Sequence, residues 1–163
     1  MNALPTALKR LGWGLAGATF VLDQITKWLI LDVFSDGPRI IEILPFFNLV
    51  LAWNRGISFG LFGAAGGWGP WVLVVVAIVI SVVLGFWLAK AETRMTAISL
   101  GLIIGGALGN VIDRVRMGAV VDFLDVHSLG YHWPAFNVAD TGITVGAIIL
   151  ILESLFFPPK TSK

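Results

Sequence analysis

Four long, mostly apolar runs divide this 163-residue chain, near residues 9 to 31, 70 to 89, 95 to 112 and 138 to 157. A helix needs about 20 mostly apolar residues to cross the hydrocarbon of a bilayer, so each run is expected to be a membrane span. With 57% hydrophobic and 13% charged side chains, the chain is too apolar and too poor in charge for a water-soluble domain of this length. The expected fold class is an all-α integral membrane protein forming one domain, with four spans and two outer segments, 32–69 and 113–137. No basic stripe with interleaved aromatics is present, so nucleic acid is not an expected partner. The absence of cysteine removes disulfides, thiolate catalysis and cysteine-based zinc sites.

The basic residues set an orientation. Lys9 and Arg10 precede the first run, Lys90 and Arg94 lie between the second and third, and Lys160 and Lys163 follow the fourth. The positive-inside rule makes those segments and both termini cytoplasmic, although Arg39, Arg55, Arg114 and Arg116 on the outer side weaken the asymmetry. Trp68, Trp71, Trp87 and Trp133 fall near span ends, as interfacial anchors do. Lys9, Arg10 and Ala16-Gly17-Ala18 imitate a cleavable signal. The apolar run continues past them to Ile30, so a retained first helix is expected.

In the third run Gly101, Gly105 and Gly109 recur every four residues, a stripe along which another helix can approach closely. Gly106, Asn110 and Arg114 also step by four, and packing alone does not ask for the last two. Polar groups inside a membrane need a reason. Asp23 and Lys27 are four apart in the order that favours an intrahelical pair, and they read either as a self-neutralising structural pair or as part of a site. Glu153, near the cytoplasmic end of the fourth run, reads as a snorkelling side chain.

Asp140 stands where the fourth helix begins, with Asn137 a candidate N-cap, a placement that the helix dipole favours on its own. Asp122 lies in Val120-Val121-Asp122-Phe123-Leu124-Asp125, which reads as a strand or extended edge. Taken singly, each is ordinary. Together, at the outer ends of neighbouring elements, two aspartates could share one proton, because close like charges do not both ionise cheaply. That is the chemistry of aspartic proteases.

Two motif matches lack their context. Asp140-Thr141-Gly142 occurs once and runs into an apolar helix, not in a pair of β lobes. Gly56-Ile57-Ser58-Phe59-Gly60 fits the nucleophile-elbow pattern, and Ser58, Asp122 or Asp125, and His127 or His132 follow in a hydrolase order, but no large sheet surrounds them. The two histidines lack zinc-protease spacing. A small proton-coupled transporter, with Asp23 and Asp140 as carrier sites, is the rival from another class; the chain shows no internal repeat of the kind such proteins often carry.

Five motifs in order carry a family resemblance: Asp23-Gln24-Ile25-Thr26-Lys27, Asn54-Arg55-Gly56 with Phe59, GGALGNVIDR from Gly105 to Arg114, VVDF at Val120–Phe123, and FNVAD at Phe136–Asp140. The sequence resembles the bacterial lipoprotein signal peptidases, or signal peptidase II, over most of its length. The resemblance implies a membrane aspartyl endopeptidase that removes the signal peptide of diacylglyceryl-modified prolipoproteins just before the lipidated cysteine, on the outer face of the cytoplasmic membrane. It implies Asp122 and Asp140 as catalytic residues, Asn54, Asn110, Arg114 and Asn137 as substrate-binding, and Asp23, Lys27, Gly56, Gly106 and Ala139 as supporting. No metal or other cofactor is implied. The partners implied are the prolipoprotein substrate and membrane lipids, with no obligatory protein partner. It further implies a small outer antiparallel β-cradle, drawn from Ile40 to Gly60, and a short interfacial helix or lid at His127 to Trp133. Thr141-Gly142 departs from the family's usual small residue after FNVAD, and the glycine is expected to loosen the turn there.

Overall fold

The computed structural model describes residues 3–37, 39–56 and 68–156, with side chains from residue 6 onward. Four helices and four strands follow in the order α1 (Ala3–Val33), β1 (Ile41–Leu44), β2 (Phe47–Asn54), α2 (Gly69–Leu88), α3 (Arg94–Met117), β3 (Val120–Ser128), β4 (Tyr131–His132) and α4 (Val138–Phe156). Lys160, Lys163, Ser58 and Phe59 lie outside the described residues.

The helices α2, α3 and α4 are each long and apolar enough to cross a membrane. Helix α1 is 31 residues long, but Asp23 and Lys27 dilute its apolar character. Both are buried, and the opposite face of α1 exposes Leu11, Val21, Leu22, Ile25, Trp28 and Leu29. Polar inside and apolar outside is the inverse of a helix facing water. On α2, Val72, Val75, Val79, Val83 and Phe86 are likewise exposed.

Helix α3 is the central element, packed against α1, α2 and α4. It outruns the expected span of 95–112 and carries Asp113, Arg114 and Arg116 within the helix. An apolar run marks only the part that faces hydrocarbon, whereas the last turns of α3 point polar groups inward. Thr93 caps its start, accepting from the Thr96 N–H at 3.0 Å, and Gly118 ends it in the left-handed conformation at φ 70°, as C-caps commonly do. The glycine stripe brings α1 close: a Cβ at Gly101 would strike the Gly12 carbonyl, and one at Gly105 the Ala16 carbonyl. Below the stripe, Leu8, Ala16, Leu88, Ala97, Leu100 and Ile104 form one apolar core.

The sheet runs β1-β2-β3-β4, antiparallel throughout, at the end of the bundle where α1 and α3 finish and α2 and α4 begin. The expected cradle strands in 40–60 are β1 and β2. The Val120–Asp125 stretch is a strand: β3 pairs with β2 along Val120 to Val126 and with β4 at His127 and Ser128, and Val120 to Phe123 are all buried. Val121 and Phe123 pack with Ile30 and Phe34, which seats the sheet on the end of α1. The stretch His127 to Trp133 holds no helix. It is a hairpin turning at Leu129 and Gly130, both with positive φ, the signature of a tight turn whose twist matches antiparallel strands.

Glu153 does not snorkel. It is 9% exposed and accepts hydrogen bonds from the hydroxyls of Thr93 and Thr96, fastening α4 to the start of α3. A buried carboxylate is held by donors it can find nearby, and Thr93 and Thr96, 57 to 60 positions away in sequence, are invisible to a span-by-span reading.

Candidate active site

Pairing of β2 with β3 sets Ala52 opposite Asp122. Two residues further on, at the end of β2, Asn54 donates its amide to Asp122 Oδ2 at 3.0 Å. The Asn54 amide is itself oriented, because its oxygen accepts the Gly56 N–H at 3.2 Å and leaves the NH2 facing the carboxylate. Gly56 thus acts on the site through Asn54. The other Asp122 oxygen accepts from Asn137 Nδ2 at 2.7 Å. Asp122 is 2% exposed. Burial first, and then the charge of Asp140, push its carboxyl up to about 6, against the two amide donors and the charge of Lys27, since a carboxylate in a low dielectric beside a like charge holds its proton.

Asp140 sits in the first turn of α4 and is half-buried. Asn137 caps this helix as its sequence position suggested: the Asp140 N–H donates to Asn137 Oδ1 at 2.9 Å, and the Asn137 N–H donates back to Asp140 Oδ2 at 3.2 Å. This reciprocal pair is a capping box with an aspartate in the usual glutamate position. One residue, Asn137, therefore touches both aspartates, one through its side chain and the other through its backbone. The Asp140 Oδ1 accepts from Asn110 Nδ2 at 2.8 Å, so α3 reaches the same carboxylate.

Behind Asn110 lies a buried ionic cluster. Lys27 Nζ is 2.8 Å from Asp23, 2.7 Å from Asp113 and 3.0 Å from Asn110 Oδ1. Asp23 is more than the partner of Lys27: its Oδ1 accepts the Ala139 N–H at 2.9 Å. Ala139 is fully buried, and its carbonyl stands where a Cβ on Gly106 would be. Gly106 is thus the point at which α3 admits the first turn of α4, and Gly109 meets Asp23 in the same way. Gly142 does not loosen the turn. It lies inside α4 close to Thr19 and to the Leu102 carbonyl, a place for a residue without a side chain at a helix crossing.

Arg114 is half-buried beside the pair. Its Nη1 approaches the Asn110 carbonyl at 3.5 Å, and its Nε is buried without a partner. A donor left unmade in a buried setting is one that a bound ligand can satisfy. All eleven residues singled out by resemblance thus lie in or directly behind one site.

Two residues of the site were not singled out. Asp113 is 1% exposed and accepts from Lys27, from Gln24 at 3.1 Å and from the Val121 N–H at 3.2 Å. Gln24 also donates to Asp23 and to the Gly109 carbonyl. The signal available was that Asp113 and Asn110 are three apart on one helix face. Asp125 plays a separate part, accepting from Asn48 at 3.0 Å and standing 2.9 Å from His132 Nδ1, with the His127 ring stacked on His132; it ties β2 and β4 to β3. Among the described residues no group of three or more histidine and acidic side chains is gathered as a metal site.

Residues 15–156 match the family model described as signal peptidase (SPase) II. A lipoprotein signal peptidase of Methylobacterium sp. (strain 4-46) is 47% identical over 148 residues, 90% of this chain and 89% of that protein. One from Ralstonia nicotianae is 49% identical over 144 residues, 87% of this chain and 82% of that protein. A bacterial membrane enzyme solved by the in meso method at 1.9 Å superposes with a TM-score of 0.75 at 31% identity, covering 90% of this chain and 93% of that one. A second such enzyme, solved at 2.3 Å, gives 0.74 at 28% identity over 93% of both chains. This protein is a bacterial membrane protein and belongs to the signal peptidase II family.

Proposed function

We propose that the protein is an aspartyl endopeptidase that cleaves the signal peptide from diacylglyceryl-modified prolipoproteins just before the lipidated cysteine. Membership of the signal peptidase II family makes it a protease that acts on lipoprotein signal peptides. The observation that carries the aspartic mechanism is the single residue Asn137, bonded to both Asp122 and Asp140, which draws two carboxylates from different elements into one site.

In this reading the pair shares one proton, held by Asp122, whose buried carboxyl is raised to about 6. Asp140, whose two oxygens both accept N–H donors, is the base. Asp140 removes a proton from water as the water attacks the scissile carbonyl, while Asp122 gives its proton to the carbonyl oxygen. The tetrahedral diol then collapses: the C–N bond breaks, the proton on Asp140 passes to the leaving amine, and a hydroxyl proton of the diol returns to Asp122 as the new carboxyl forms. Asn54, Asn110, Asn137 and Arg114 supply donors around the peptide, and Gly56, Gly106, Ala139, Asp23 and Lys27 hold those donors in place.

All four helices cross the bacterial inner membrane, both termini are cytoplasmic, and the site faces the extracytoplasmic side. The basic residues Lys9, Arg10, Lys90 and Arg94 at the opposite end of the bundle support this orientation, and the exposed apolar face of α1 supports a fourth span. A substrate anchored by acyl chains meets the site at the membrane surface. The transporter reading is not supported: the matching family model is that of a peptidase, and Asp23 is fully buried with its oxygens taken by Lys27 and the Ala139 N–H.

Purified protein in detergent, supplied with a diacylglyceryl prolipoprotein, is expected to release the signal peptide. Asp122→Asn and Asp140→Asn are expected to abolish release. Full activity in either variant would reject the pair.

A further inference from the structure

The ionic cluster behind the site has a symmetry that its role as a charge pair does not require. Lys27 is held between two carboxylates, Asp23 at 2.8 Å and Asp113 at 2.7 Å. Each of them uses an oxygen to take one further backbone N–H. Asp113 takes that of Val121, the residue before Asp122. Asp23 takes that of Ala139, the residue before Asp140. Val121 and Ala139 are both fully buried. Thus one ammonium on α1 ties together two acids, from α1 and α3, and each acid grips the chain one residue ahead of a site aspartate.

A third arm acts on hydrogen-bond direction. The Asn110 oxygen accepts from Lys27 and from Asn137 Nδ2, so its NH2 is the group left to face Asp140. An ammonium has donors only, and it therefore fixes which end of the Asn110 amide Asp140 meets.

We propose that Asp23, Lys27 and Asp113 form a clamp that sets the separation of Asp122 and Asp140, which makes Asp113 a positioning residue of the reaction. This inference rests on the aspartyl peptidase reading. A buried network of this kind confers precision, because removing one member leaves the others unpaired and free to shift. Loss of about 1 Å in the placement of reacting groups lowers a rate by on the order of a hundredfold.

The clamp makes a specific demand on the pH–rate profile. Two carboxylates held close titrate as a coupled pair, and the gap between their two apparent pKa values widens as they approach. The profile of kcat is a bell whose width reports that gap. Asp113→Asn and Asp23→Asn are expected to lower kcat by about tenfold or more at little change in KM, and to narrow the bell as the pair moves apart. Removing a charge without moving the pair would shift both limbs in the same direction and leave the width unchanged.

The test measures kcat, KM and the full pH profile, per folded protein, for wild type, Asp113→Asn, Asp23→Asn and Glu153→Gln, the last removing a buried carboxylate at the far end of the bundle. Narrowing in the two clamp variants alone supports the clamp. An unchanged width, or a change equal to that of Glu153→Gln, overturns it. Carboxyl titration of 13C-labelled aspartate, followed by NMR in wild type and Asp113→Asn, reads the same gap without turnover. Equal gaps overturn the clamp even in an active enzyme, whereas absence of cleavage by wild type overturns the peptidase reading instead.

Discussion

Asn137 donates its side-chain amide to Asp122 at 2.7 Å, and this bond joins the first residue before α4 to the interior of β3. The same residue caps the helix that carries Asp140. Asn137→Ala is therefore expected to harm the protein in two separable ways. Loss of the cap should cost about 0.5–2 kcal/mol, read as a lower melting temperature in detergent. Loss of a donor to Asp122 should lower kcat by on the order of a hundredfold. Asn137→Ser restores a capping oxygen but not the donor to Asp122, so it should recover much of the stability and little of the activity.

The raised carboxyl of Asp122 makes stability depend on pH. A carboxyl that titrates near 4 unfolded and at about 6 folded binds its proton more tightly in the folded state. The folded protein gains from this group below pH 4 and loses that gain as pH rises through 6, by at most about 3 kcal/mol. Asp122→Asn cannot ionise, so the melting temperature of wild type should fall relative to that of the variant between pH 4 and 7. Parallel curves over that window would contradict the burial argument.

Gly106 and Gly17 are both helix glycines, and opposite outcomes are expected for them. A Cβ on Gly106 would meet the Ala139 carbonyl, while one on Gly17 would meet nothing within 4 Å. Gly106→Ala is expected to push α4 away, at about 1–3 kcal/mol, and to reduce activity because Ala139 precedes Asp140. Gly17→Ala should stabilise slightly, by about 0.5–1 kcal/mol, with activity unchanged. Thermal melting and cleavage assays on the two proteins give the comparison.

Glu153 offers the converse case, a buried acid remote from the site. Thr93→Val removes both its hydrogen bond to Glu153 and the cap of α3. A loss of about 1–3 kcal/mol with unaltered kcat and KM in the folded fraction is the expected outcome. A selective loss of activity would show that the far end of the bundle communicates with the site.

What the sequence disclosed here follows from the range of the interactions involved. Spans show as apolar runs, and the cap at Asn137 lies three residues from its partner Asp140, so local patterns suffice for both. The glycine stripe of α3 was legible as a close approach, though not that α1 fills it. Glu153 and Asp113 were misread or passed over because their partners lie far away: Thr93 is 60 residues from Glu153, and Gln24 is 89 from Asp113. Strand β3 was legible as an extended stretch, but its pairing with β2 was not, because residues whose side chains join the two lie 68 to 77 positions apart. The hairpin at Leu129 and Gly130 was missed because a leucine rarely takes positive φ.

Helix α2 contributes no side chain to the site. It packs chiefly on α3, meeting α1 near Gly85 and Leu88, and the rest of its surface is open and apolar. Hydrophobic thickness differs among bilayers, and spans accommodate the mismatch by tilt or length. In this architecture the helix that shows lipid a broad apolar surface brings no polar side chain to the site, so a change in lipid-facing residues on α2 leaves the chemistry of the other three helices untouched.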